Sequence, residues 1–133
     1  MKIYGHCRFS YFGLTDTGRA ITTMDHAQTL LWNPLRMAAR FHLFEQILLP
    51  ALRHQTDPDF VFQLITSTPM PDVYHDRLAA LVADTPQIRI LRTDDRDLGS
   101  ALLGIIAEAS DGHTEPAVHF RLDDDDAVCV EYI

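Results

Sequence analysis

Four consecutive carboxylates, Asp123-Asp124-Asp125-Asp126, follow the apolar stretch Ala117-Val118-His119-Phe120-Arg121-Leu122. Neighbouring carboxylates repel one another unless a positive group sits among them. At the carboxyl end of a buried parallel strand, that group is commonly a hard divalent cation. Mg2+ or Mn2+ takes one or two protein carboxylates and completes its shell with substrate phosphates. In an extended segment Asp123 and Asp125 point one way and Asp124 the other. One carboxylate then takes the cation while another meets a hydroxyl or a water. The competing reading is a solvated acidic turn, and the strand in front of the run favours the cation.

Two other stretches carry groups suited to a phosphate-bearing ligand. Arg8-Phe9-Ser10-Tyr11 ends the first strand-like segment; there Arg8 suits a phosphate and Tyr11 suits stacking on a base. Arg92-Thr93-Asp94-Asp95-Arg96 follows a later strand-like segment. In it Arg96 suits a diphosphate, while Asp94 and Asp95 suit the positive end of a helix. The chain has no G-x-G-x-x-G after its first strand, no P-loop lysine, no H-E-x-x-H and no G-x-S-x-G. Dinucleotide dehydrogenases, P-loop kinases, zinc proteases and α/β-hydrolases are therefore set aside. Of the seven histidines, His42 reads as a core or boundary residue and His119 as buried and neutral.

The elements that must position these groups alternate. Residues 2–9 read as a strand, and residues 10–32 as a long irregular connection with Gly13, Asp16 and Gly18. Asn33-Pro34 starts a helix, with Asn as N-cap and Pro at the first helical position. Leu35, Ala38, Phe41, Phe44 and Leu48 continue it at helical spacing until Pro50, which must kink or restart it. Residues 60–66 form a nearly continuous apolar run, the pattern of a strand covered on both faces. Asp72 caps a helix through Leu78 and Val82; residues 87–91 form a third strand. Asp94 or Asp97 caps a helix through Leu98, Leu102, Leu103 and Ile106, which Asp111-Gly112 closes. Residues 117–122 form the fourth strand. Such alternation predicts an α/β fold, a mostly parallel four-stranded sheet with flanking helices and ligands at its carboxyl edge.

Composition is that of an ordinary globular protein: 133 residues, 47% apolar, 23% charged, with a net charge of −8. The basic stripe needed for nucleic acid is absent, and no apolar run is long enough to span a membrane. The first residues read as a strand and lack the apolar core of a signal peptide. Cys7 and Cys129 read as buried thiols and not as a disulfide, and a cytoplasmic location is expected.

Phe120-Arg121-Leu122-Asp123-Asp124-Asp125-Asp126-Ala127 resembles the Asp-x-Asp segment of GT-A-type glycosyltransferases. Three further stretches resemble the putative rhamnosyltransferase family of bacteria: Arg8-Phe9-Ser10-Tyr11-Phe12-Gly13; Arg40-Phe41-His42-Leu43-Phe44-Glu45 with Leu49-Pro50-Ala51-Leu52; and Gln55-Thr56-Asp57-Pro58-Asp59-Phe60. The resemblance covers nearly the whole chain. It implies a Rossmann-like, nucleotide-binding half of a GT-A fold that takes a nucleotide diphosphate sugar through Mg2+ or Mn2+ and passes the sugar to an acceptor the sequence does not identify. Asp125 matches the metal-ligand position, and Asp123 the position that meets ribose or metal. Arg8 and Ser10 fall where such enzymes hold the nucleotide. The candidate nucleotide contacts are Arg8, Ser10, Tyr11, Arg96, Asp123 and Asp124; the candidate metal ligands are Asp123 and Asp125.

The chain departs from the pattern in two places. Where related folds place an acidic residue after the second strand to read the base, it has Thr66-Ser67-Thr68. After the Asp segment, where an acceptor site and catalytic base are expected, it has only residues 127–133, with Glu131 the one carboxylate. Residues 1–133 are therefore expected to be the donor-binding part of a domain truncated after the Asp segment, completed by a missing C-terminal half or prone to self-association through an exposed apolar patch. The alternatives are a non-catalytic metal- or nucleotide-binding remnant and a Mg2+-dependent phosphotransferase with an Asp nucleophile.

Overall fold

The computed structural model describes residues 1–14, 21–110 and 115–133, and of residues 108–110 the backbone alone. Asp16, Gly18, His113 and the Asp111-Gly112 helix stop lie outside the described residues. In chain order the elements are β1 (Lys2–Arg8), α1 (Met24–His26) with a π-helical turn (Ala27–Leu31), and α2 (Pro34–Leu43) with a second π-helical turn (Phe44–Leu48). Then come α3 (Leu49–Arg53), β2 (Val61–Ser67), α4 (Asp72–Val82), β3 (Ile88–Thr93), α5 (Leu98–Ser110) and β4 (Ala117–Arg121). The strands form one four-stranded sheet in the order β3-β2-β1-β4, parallel throughout. This is the expected open, Rossmann-like α/β architecture.

Right-handed crossovers explain the layering. The connections β1→β2 and β2→β3 step in one direction, so α2, α3 and α4 pack on one face. The connection β3→β4 steps back across β2 and β1, so α5 belongs to the other face. The main core lies under α2 to α4. Phe9 meets Phe41 and Phe44 edge to face, with ring centroids 5.0 and 5.7 Å apart. Met37, Phe41, Phe44 and Leu48 present one buried stripe from α2 into its π turn. Each such side chain contributes about 1.5–3 kcal/mol on burial.

Asn33 caps α2 as its residue type predicts: its Oδ1 accepts from the Leu35 and Arg36 backbone N–H groups at 3.0 and 3.4 Å, with Pro34 just inside the helix. Pro50 restarts the helix without breaking it. One turn ahead, the Leu49 N–H reaches back five residues to the Phe44 carbonyl. This wider turn accommodates an extra residue where proline brings no N–H and would crowd the carbonyl four residues earlier. The expected irregular stretch before Asn33 also holds structure. Thr23 Oγ1 accepts from the His26 N–H at 3.2 Å, and α1 runs into its π turn.

Several expectations need correction. Asp72 is not a cap: the N-cap of α4 is Pro71, and Asp72 pairs with Arg92 at 2.7 Å. Asp97 caps α5, accepting from the Ser100 N–H at 2.9 Å and its hydroxyl at 2.8 Å. β2 is buried at every residue from 62 to 67, whereas β4 is an edge strand on which only Phe120 is partly covered. The Asp run therefore follows an edge, not a buried strand, because β4 has a neighbour on one side only. His119 is exposed for the same reason and stacks on Tyr4 at 5.2 Å. His42 is exposed on α2, opposite the Met37–Phe41 stripe. Cys7 is buried, but Cys129 is exposed.

Gly5 lets the sheet close near this edge. A Cβ there would fall within 3.0 Å of ring atoms of both Phe62 and Phe120, whose rings meet over β1 at 6.0 Å. Beyond the Asp run the chain folds back toward the end of α3. Gln55 Nε2 donates to the Cys129 carbonyl at 2.8 Å, and its Oε1 accepts from the Ile133 N–H at 3.0 Å. The Tyr132 ring meets Phe120 edge to face at 5.5 Å. The Asp run is thus held on both sides, by β4 before it and by this tether after it.

Candidate functional site

Between β1 and β4 the strand order reverses. The loops leaving these two strands both reach α2, Ser10 through Arg36 and Asp124 through Arg40, and flank a crevice at the carboxyl edge. The loop after β1 turns at Ser10, the one non-glycine residue with positive φ among those described, at 48°. A left-handed residue costs about 1–2 kcal/mol and persists only where its surroundings fix it. Here Ser10 Oγ accepts from Arg36 Nη1 at 3.0 Å, and the Ser10 carbonyl accepts from Trp32 Nε1 at 3.0 Å. The Phe12 N–H donates to Ser67 Oγ at 2.7 Å, tying the same loop to the end of β2.

The loop after β4 is a turn. The Asp126 N–H donates to the Asp123 carbonyl at 3.1 Å, and the Asp123 N–H donates to Asp126 Oδ2 at 2.8 Å. The expectation of an extended segment is corrected here, although its consequence survives by another route. Asp124 points inward and is 5% exposed, while Asp123 and Asp125 keep side-chain exposures of 52% and 43%. Arg40 Nη1 donates to Asp124 Oδ1 at 2.6 Å and lies 3.5 Å from Asp125 Oδ2. Arg121 pairs with Asp123 at 2.8 Å. Burial pushes the Asp124 carboxyl above the ordinary range; the Arg40 charge and hydrogen bond pull it back. Burial, with Asp124 and Asp123 nearby, pushes the Cys7 thiol pKa well up.

These parts enclose an open hollow of about 260 Å3. Arg8, Ser10 and Tyr11 reach it from the β1 side, Arg36 and Arg40 from α2, and Asp123, Asp124 and Asp125 from the β4 side. Six of the seven candidate residues therefore share one hollow. Tyr11 is buried there, and its hydroxyl donates to the Asp95 carbonyl at 2.5 Å. Arg96 stands apart. Its guanidinium lies 3.9 Å over the Phe12 ring, in a smaller hollow of about 110 Å3 shared with Asp94 and Asp95.

Arg36 and Arg40 are the residues that sequence reasoning missed. They sit four apart on α2, one turn from each other on the same face. Two arginines at that spacing directly behind an Asn-Pro helix start were the available signal. Among the described residues no three His, Cys, Asp or Glu side chains come together as a metal cluster. The accessible hard donors are the carboxylates of Asp123 and Asp125, and the positive groups beside them are guanidinium groups. Such a hollow suits an anion with several oxygens, with room for a cation between it and the two exposed carboxylates. No helix of the described residues is long and apolar enough to cross a membrane.

The family described as "Putative rhamnosyl transferase" matches residues 2–133, and the chain belongs to it. No curated protein and no solved structure matches the chain.

Proposed function

From that membership, we propose that the hollow between β1 and β4 binds the diphosphate of a nucleotide-sugar donor. In this reading the chain is the donor-binding part of a GT-A-type, metal-dependent glycosyltransferase, and the Asp run is its Asp-x-Asp segment. One observation carries it: Arg8 at the end of β1, Ser10 just beyond it, and Asp123 to Asp125 after β4, from opposite ends of the chain, line a single hollow at the reversal of strand order. Rhamnose is the sugar suggested by the family's description.

Asp123 and Asp125 fit a Mg2+ or Mn2+ ion: both are oxygen donors, both line the hollow and both keep solvent access. The cation would offset the charge that develops on the leaving diphosphate. The chain's own contribution is positional. Arg8, Ser10 and Arg36 fix one wall, Arg40 holds Asp124 inward, and the turn presents its neighbours outward. The compartment we propose is the cytoplasm, where thiols such as those of Cys7 and Cys129 stay reduced.

Calorimetric titration with UDP, dTDP and GDP, each with and without Mn2+, tests the reading. Selective binding of one nucleotide, tightened by Mn2+, is expected. Absence of binding to all three under both conditions overturns it.

A further inference from the structure

Besides its carboxylates, the hollow has a basic wall. Arg8, Arg36 and Arg40 approach from two elements, the end of β1 and one face of α2. Arg36 is held by two bonds from Nη1, to Ser10 Oγ at 3.0 Å and to the Leu31 carbonyl at 2.7 Å, so its guanidinium is placed before any ligand arrives. Arg40 is placed by Asp124. Preset guanidinium forks match phosphate oxygens and lose little freedom on binding. The carboxylate side is less committed to a cation. Asp124 is taken by Arg40, Asp123 by Arg121, and a cation at Asp125 must share that carboxylate with Arg40 at 3.5 Å.

We infer that Arg8, Arg36 and Arg40 form the principal diphosphate-binding wall of this site, so that nucleoside diphosphate binding persists without a divalent cation and the cation only adds to it. The inference rests on the donor-binding reading and assigns the larger share of affinity to the arginines. Arg36 has a second role as a positioning residue for Ser10, whose left-handed backbone it holds.

The test uses the whole chain in calorimetric titrations with the tightest of UDP, dTDP and GDP, and with inorganic pyrophosphate, in Mn2+ and in EDTA. The expected result is wild-type affinity in EDTA within about tenfold of that in Mn2+, falling as salt rises. Arg8→Gln and Arg36→Gln are expected to weaken binding in EDTA by about tenfold to hundredfold each. Melting curves identify a variant that fails to fold, and the wild-type arms stand without it. Binding seen only with Mn2+, or unaffected by both substitutions in folded protein, overturns the arginine wall and leaves the donor reading intact. Absence of binding in every arm overturns both.

Discussion

Arg40 and Asp124, 84 residues apart in sequence, are joined by a hydrogen bond of 2.6 Å from Nη1 to Oδ1, and this bond ties α2 to the turn after β4. The carboxylate has 7% of its side chain exposed and the guanidinium 27%. A carboxylate that deeply placed needs its partner, since removing one member of such a pair leaves an uncompensated charge.

Arg40→Met is therefore expected to destabilise the fold by about 3 kcal/mol, the lower end for a broken buried pair because Arg40 keeps some solvent. The loss depends on pH in a defined direction. Burial already raises the folded-state pKa of Asp124, and removing Arg40 removes the principal opposing influence. An acid whose folded pKa lies above its unfolded value binds protons more readily when folded, so its ionisation costs stability as pH rises through that interval. Urea melts should show a larger Arg40→Met deficit at neutral pH than at mildly acidic pH. A deficit independent of pH would place the effect elsewhere.

Gly5→Ala is expected to cost about 1–3 kcal/mol, the usual range for overpacking. The added methyl would fall within 3.0 Å of both Phe62 and Phe120, and Phe62 is fully buried. Chemical denaturation measures the loss. The companion Gly5→Ala, Phe120→Leu double substitution should recover part of it, since Phe120 is the ring nearer the edge.

The two thiols should separate by rate. Cys129 is exposed, while Cys7 is buried with its thiol pKa well above the ordinary value. Iodoacetamide at neutral pH should label Cys129 quickly in native protein and reach Cys7 only in denaturant. Equal native rates would contradict the burial of β1.

The sheet was legible because its signals are local: a continuous apolar run for β2, Asn33-Pro34 for α2, and alternation for the parallel order. The hollow was half legible. Arg8, Ser10 and the aspartates lie at strand ends, and strand ends of a parallel sheet meet by construction. Arg36 and Arg40 were not read as site residues, because arginines on an amphipathic helix look like its solvated face until the packing angle is known. His119 and Cys129 read as buried, and His42 as a core or boundary residue, because their neighbours in sequence are apolar. The two histidines lie where the fold supplies no second layer, since β4 is an edge and the outer side of α2 faces solvent, and Cys129 lies exposed in the tail after the Asp turn. Edge position is set by strand order, which no local pattern encodes.

The Asp run supplies the last prediction. Asp125 is the one carboxylate of the hollow that is both exposed and only loosely engaged by an arginine, at 3.5 Å. In the proposed site it takes the cation, with Asp123 beside it. Asp125→Asn keeps the shape of the side chain and removes its charge. Four adjacent carboxylates repel, so the fold should be unchanged or slightly stabilised, by less than about 1 kcal/mol for surface charges. The Mn2+-dependent increment in nucleotide affinity should disappear, while the affinity measured in EDTA stays or rises as negative charge leaves the hollow. Titration of the variant with the nucleotide that the wild type prefers, in Mn2+ and in EDTA, measures both quantities. An increment that survives in Asp125→Asn would remove Asp125 from the metal site and shift the role to Asp123 and Asp126, the remaining exposed carboxylates of the turn.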